Sequence, residues 1–300
     1  MAAFYNQATI SVNGNVTSSN IVAGEITQVL SADKNSVIGT YSPESDTVFT
    51  VSMVNSGDTD LTGVTVTDDL GEYTISEEGA QAVPLTYSEG SAALYVNGVL
   101  QPAPTVSSAQ PLTVSGITIP AGGNAMLVYA ATVNQYAPLG AGESVTNTAQ
   151  ITGNGIASPV LASAVITPSS APDLAISKSL TPSTVPENGR LTYTFIIQNY
   201  GNTEASAQDS VIFRDAFSPA LDNIEVTFNG APWTAANYTY SSATGIFQSL
   251  PGQVTVPAAE YTQDPDTGVW STQPGVSTLV ISGNIISSAA AERCAQTARR

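Results

Sequence analysis

Two stretches of this chain read as copies of one another, and the second copy stops before the first one does. The segment from Lys34, KNSVIGTYSPESDTVFTVSMVNSGDTDLTGVTVTDDL, matches KSLTPSTVPENGRLTYTFIIQNYGNTEASAQDSVIFRDAF from Lys178. Each passes through a proline turn (Pro43, Pro186), an alternating strand, an Asn-x-Gly at Asn55 or Asn199, and a strand ending in Asp68 or Asp215. YVNG at Asn97 matches TFNG at Asn229, and AMLVYAATV from Ala125 matches STLVISGNI from Ser277. Copy one then continues into ESVTNTAQITGNG, whereas copy two runs into ISSAAAERCAQTARR. The missing strand stands at the other end of the chain. NQATISVNG (Asn6 to Gly14) aligns without gaps on NTAQITGNG (Asn147 to Gly155). Self-similarity of this kind marks a repeat architecture, here a two-domain array cut one strand out of phase.

The composition says what such an array is made of. Only 10% of residues are charged, and Thr, Ser, Val, Gly and Pro are plentiful, which favours strands and turns over helices. The expected fold is all-β: two tandem β-sandwiches, the second lacking its last strand, plus an N-terminal donor strand. The boundaries read as 1–24 for the donor strand and linker, 25–156 for the first sandwich, 157–172 for a linker, 173–287 for the incomplete sandwich and 288–300 for a tail. A net charge of −17 argues against nucleic acid and anionic membranes as partners. No apolar run is long enough to span a bilayer, and no basic stretch followed by an apolar core marks a classical signal peptide. With no histidine and one cysteine, Cys294, an internal disulfide is ruled out and no metal or other cofactor is expected.

Two lysines serve the whole chain, Lys34 and Lys178, too few to be there for solubility. Strand periodicity places both inward. Lys34 shares a face with Leu30 and Ala32, Asp68 with Val64 and Val66, and Asn147 with Val145, Ala149 and Ile151. In copy two Lys178 shares a face with Leu174 and Ile176, and Asp215 with Val211 and Phe213. The N-terminal strand aligns Phe4, Asn6, Ala8, Ile10 and Val12. Each set thus brings a Lys, an Asp and an Asn to core-facing positions, where unpartnered polar groups cost several kcal/mol. Together they have a chemical use. Desolvation favours the neutral, nucleophilic amine; a protonated Asp68 or Asp215 can polarise the Asn carbonyl; attack with loss of ammonia leaves a Lys–Asn amide. The expected cross-links are Lys34–Asn147 within the chain and Lys178–Asn6 between chains. The plain alternative is a buried Lys–Asp pair with a nearby Asn and no bond.

VFTVSMVNSG, VTVTDDL and SVTNTAQITG, with YTFIIQNYG and VIFRDAF in copy two, resemble the conserved-repeat domain of unknown function of bacterial surface proteins. The resemblance covers nearly everything from Asn6 to about Ile286, and the tail departs from it. It implies an immunoglobulin-like sandwich that often carries intramolecular isopeptide bonds. The paired arrangement also resembles appendage proteins of bacterial spores, which are released by lysis of the mother cell. The expected function is therefore a structural subunit of an extracellular filament on a bacterial cell or spore surface. It would polymerise with itself head to tail by donor-strand complementation, with an anchoring protein at the surface as a further partner.

An adhesin or stalk is the competing function, with the Tyr-rich stretch NYTYSSATGIF (237–247) and YTQDPDTGVWSTQ as ligand-binding loops. Aromatic side chains of that kind more often pack within hairpins. A glycosidase would need paired carboxylates, and nothing beyond Asp68-Asp69 offers a pair, so turnover catalysis is not expected. The acidic turns at Asp58 and Asp264 lack the ligand spacing of a calcium loop.

Overall fold

The computed structural model describes residues 2–75 and 79–286, so the tail at 288–300 and Cys294 lie outside the described residues. The chain is all-β and divides into two compact units, Met1–Pro168 with Gln263–Trp270, and Ser169–Thr262 with Ser271–Arg300.

Within unit one, residues 2–26 make a long antiparallel hairpin of β1 (Ala2–Asn6), β2 (Thr9–Val12), β3 (Asn15–Ser18) and β4 (Val22–Ile26). β1 pairs with β4 and β2 with β3. The turn is Asn13-Gly14, both at positive φ (51° and 83°), the residue pair that a two-residue hairpin connection favours.

The body of unit one is a two-sheet sandwich. One sheet has the order β13 (Val99–Leu100), β12 (Ala93–Val96), β16 (Asn124–Val133), β7 (Asp46–Asn55), β5 (Leu30–Ser36), with β11 (Leu85–Tyr87) also on β16. The facing sheet runs β14 (Thr105–Ala109), β15 (Leu112–Ile119), β8 (Leu61–Asp68), β17 (Val145–Asn154), β18 (Val160–Pro168), β6 (Thr40–Tyr41). A small ribbon pairs β9 (Tyr73–Thr74) with β10 (Gln81–Ala82). Alternation sets the core as the period of two requires: Phe49, Val51 and Met53 from β7 meet Val64 and Val66 from β8 and Ile151 from β17, all fully buried.

Unit two repeats this plan with fewer strands. One sheet has the order β19 (Leu174–Thr181), β20 (Arg190–Asn199), β28 (Gly275–Ile285), β22 (Leu221–Phe228), β23 (Ala231–Trp233), strand for strand the counterpart of the β5 sheet. The facing sheet has three strands, β21 (Arg214–Ala216), β25 (Ile246–Ser249) and β24 (Tyr238–Ser241). These match β8, β15 and β14. β26 (Glu260–Gln263) and β27 (Trp270–Gln273) pair as a ribbon. The unit's core is aromatic, with Phe195, Phe213, Phe217 and Phe247 meeting Leu279 and Ile281.

The repeated Asn-x-Gly has a structural reason. Asn55 is fully buried; its Nδ2 donates to the carbonyls of Thr59, Ile119 and Pro120, and its Oδ1 accepts from Gly57 N. Asn199 does the same with Thr203 O, Pro257 O and Gly201 N. The glycine is needed in unit two because a Cβ on Gly201 would stand 2.1 Å from Ala171 O.

Candidate functional site

In unit one, three strands of the sandwich deliver the residues that periodicity placed inward. Lys34 comes from β5, Asp68 from the end of β8 and Asn147 from β17, and all three are buried. β17 pairs with β8 so that Ala149 lies opposite Asp68. Lys34 Nζ donates to Asp68 Oδ2 at 2.6 Å, and the other carboxylate oxygen accepts Leu70 N at 3.1 Å. A fourth residue joins them. Tyr129, on β16, donates its hydroxyl to Asp68 Oδ2 at 2.7 Å and accepts Asn147 Nδ2 at 3.0 Å. Amine, carboxylate, phenol and amide thus form one continuous chain of contacts in the buried core. The Lys34 amine also faces the rings of Phe49 and Tyr129, at 5.2 and 5.9 Å.

The electrostatics follow from burial. Desolvation pushes the Lys34 ammonium below its ordinary value, and the Asp68 carboxylate opposes this only in part. The Tyr129 phenol is held well above its usual range, first by burial and then by the charge on Asp68. Behind them, Asp69 Oδ1 accepts Thr148 N and Gly71 N, both at 2.8 Å, which ties the end of β8 to β17. Asn147 Oδ1 is buried without a hydrogen-bond partner, a state that costs about 1–3 kcal/mol. It is the atom that a proton-bearing carboxyl would have to reach to polarise the amide.

Unit two holds the same pair in another setting. Lys178 Nζ reaches Asp215 Oδ2 at 2.6 Å, but the side chains are 42% and 19% exposed. The amine lies over three rings, Tyr193 at 4.5 Å, Phe195 at 5.3 Å and Phe217 at 5.4 Å. The inward face expected for Leu174, Ile176 and Lys178 is uncovered, because β19 is solvent-exposed along its whole length. No described strand of this unit supplies a counterpart of Asn147. Asn6 stands on β1, exposed, opposite Val22 of the hairpin. Phe4, Ala8, Ile10 and Val12 are exposed with it.

The hydroxyl has also moved between units. In unit one Tyr129 lies opposite Phe49 across β16 and β7, whereas the corresponding pair in unit two is Ile281 opposite Tyr193. Sequence reasoning passed over Tyr129, although a signal was there: an inward tyrosine needs a partner for its hydroxyl.

Elsewhere, the Tyr-rich 237–247 stretch is a hairpin whose rings are in use. Tyr238 stacks on Phe247 at 4.8 Å, and the Tyr240 hydroxyl bonds Leu221 N and O. Asp264 Oδ1 accepts the N–H groups of Asp266 and Thr267, an ordinary Asp turn. Among the described residues no cluster of acidic residues or Cys could hold a metal ion.

No protein-family model and no curated protein matches the chain. Among solved structures it is similar to BcpA, the major pilin subunit of Bacillus cereus, with TM-score 0.33 and 13% identity over 95% of this chain and 75% of that one. The pilus backbone RrgB of Streptococcus pneumoniae gives 0.33 and 11% over 82% of this chain and 55% of that one. The collagen-binding subdomain of the Enterococcus faecalis surface protein ACE gives 0.30 and 7% over 48% and 99%. Likenesses at this level do not separate a pilin or an adhesin from any other β-sandwich.

Proposed function

We propose that this chain is a structural subunit of an extracellular filament on a bacterial cell or spore surface. Each subunit donates its N-terminal strand to the second unit of the next subunit, and Lys–Asn amide bonds lock unit one and the joint. The observation that carries this reading is the contrast between two copies of one fold. In unit one the Lys–Asp–Asn set is fully buried; in unit two the Lys178–Asp215 pair is partly exposed, on the side where no described strand stands in the place of β17. The one segment of the chain that repeats the missing strand, Asn6 to Gly14, has its apolar side chains in solvent. A head-to-tail contact of this kind does not close on itself and builds a fibre.

The energetics favour a tight joint. A donated strand makes several ladder bonds at about 0.5–1.5 kcal/mol net each. Burying Phe4, Ile10 and Val12 adds about 1.5–3 kcal/mol apiece. The covalent step then needs no cofactor. The neutral amine of Lys34 attacks Cγ of Asn147 while a proton held on Asp68 passes to Oδ1. One amine proton passes from Nζ to Nδ2, the Cγ–Nδ2 bond breaks, ammonia leaves, and the proton on Oδ1 returns to the carboxyl. The chemistry runs once per site, so the protein is not an enzyme in the turnover sense. Lys178, Asp215 and the incoming Asn6 would repeat it between subunits.

Deleting residues 1–14 tests the reading. The truncated chain should keep unit one folded and stay monomeric at concentrations where the full chain assembles. Polymerisation of the truncated protein at the wild-type level would show that strand donation is wrong.

A further inference from the structure

Among the described residues, unit two lacks more than one strand. In unit one β8 is flanked by β15 and β17, and β17 is followed by β18, which pairs with it in antiparallel register. In unit two β21 pairs with β25 alone, and neither β17 nor β18 has a counterpart among the described strands. β21 is also short. Val211, Ile212 and Phe213, which correspond to strand residues of β8, fall outside the ladder. A backbone with no neighbour on that side has nothing to pair with.

We infer that the donated element is the whole two-stranded hairpin of residues 2–26, which fills the places of β17 and β18 together in a second copy of this chain. The inference rests on the strand-donation reading above and deepens it. The hairpin is already formed, with Asn6 opposite Val22 as Asn147 lies opposite Ala164. The second strands also resemble one another in sequence, IVAGEIT (21–27) and LASAVIT (161–167), two residues out of step with the pairing, a shift that keeps the same faces inward. In the paired register Val22 takes the place of Ala164, and Gly24, opposite Phe4, takes that of Ile166, which lies opposite Val145. Leu161 and Val165 point outward on β18, as Ala23 and Glu25 do on β4 by the same alternation.

The receiving surface has the matching chemistry. A cleft of about 260 Å³ runs between β19 and the 211–214 segment, lined by Leu174, Ile176, Ile197, Val211, Phe213 and Val254. Their counterparts Leu30, Val64 and Val66 are buried in unit one, where β17 and β18 are in place. Transferring the unit-one register puts Ala8 opposite Asp215 and Ile10 opposite Phe213, since Ala149 lies opposite Asp68 and Ile151 opposite Val66. Asn6 then stands where Asn147 stands.

The occupant is a neighbour rather than the same chain because the connections are short. Residues 27–29 join β4 to β5, and residues 169–173 join β18 to β19. A tether of three residues keeps the hairpin with unit one, whereas a second copy offers the same open edge without that restraint.

Three variants of the full chain decide the matter, read by sedimentation velocity and light scattering across a concentration series. Ile10 and Val22 are 65% and 53% exposed in the free chain, so charge there leaves the folded monomer intact. I10D and V22D should each lose the assembled fraction, whereas A23D, on the outward face of β4 next to Val22, should assemble like wild type. V22D assembling normally while I10D stays monomeric would overturn the hairpin and leave a single donated strand. I10D assembling like wild type would overturn strand donation itself. A wild-type chain that stays monomeric at every concentration would overturn the second copy as occupant.

Discussion

Asn147→Ala separates the proposed covalent lock from the ion pair beside it. The Lys34–Asp68 contact at 2.6 Å does not involve Asn147, whose side chain makes one hydrogen bond, to Tyr129 at 3.0 Å, and carries an orphan oxygen. Losing the side chain therefore costs little beyond the cross-link. The magnitude comes from the loop that the bond closes. Lys34 to Asn147 encloses a loop of about 110 residues, and by the chain-entropy relation for cross-links such a closure is worth about 5 kcal/mol. For a unit of this size each kcal/mol moves the midpoint by about 2–4 °C, so unit one should melt roughly 10–20 °C lower in the variant. The assay is a thermal scan paired with intact mass. The wild-type chain should be lighter than its sequence by one ammonia for this bond, and the variant should show no such loss. A wild type at full sequence mass, with the variant melting within a few degrees of it, would refute the lock.

The Tyr129 hydroxyl bonds both the acid and the amide. Tyr129→Phe should therefore slow cross-linking in freshly made protein about 10- to 100-fold, the loss of one charge-assisted hydrogen bond. A mass time course that matches wild type would contradict this. In Asn147→Ala the amine stays free, and its lowered value makes stability depend on pH. The unfolded chain keeps the Lys34 proton up to about 10.5, the folded chain releases it at lower pH, and so stability rises with pH in between. Denaturant midpoints should increase with pH below about 10, where tyrosine in the unfolded chain begins to ionise and the buried Tyr129 phenol acts in the opposite sense; a falling midpoint would show that the amine is held charged. Asn55→Ala leaves three buried or half-buried carbonyls without their donor and should destabilise unit one by about 3 kcal/mol in denaturant unfolding. A cost within a few tenths would show that water replaces the amide.

Where each strand's side chains point was legible because a period of two leaves little choice once one face is apolar. Lys34, Asp68 and Asn147 could be placed in one core from VxVTD-like and TNTAxIT-like alternation alone. Tyr129 escaped notice because AMLVYAATV reads as plain core, and its hydroxyl finds Asp68 sixty-one positions away, a contact that no local pattern encodes. The second donor strand escaped for a different reason. β18 turns Ala162 and Ala164 inward, and small residues make a faint alternation. The turns also differ, two residues at Asn13-Gly14 against the 155–159 connection, so the gapless match ended there. The open state of Lys178 was not readable either. Its face is set inward by sequence, but the strands that cover the equivalent face in unit one have no counterpart among the described residues of unit two.

The most direct test of head-to-tail assembly with a covalent joint is a boiled denaturing gel of assembled wild type beside Lys178→Ala. The account expects a ladder of multiples for wild type that collapses to a single monomer band in the variant, while both retain the ammonia loss of the Lys34–Asn147 bond. A wild type that runs only as monomer would contradict the covalent joint, and one that also fails to assemble before boiling would contradict the filament.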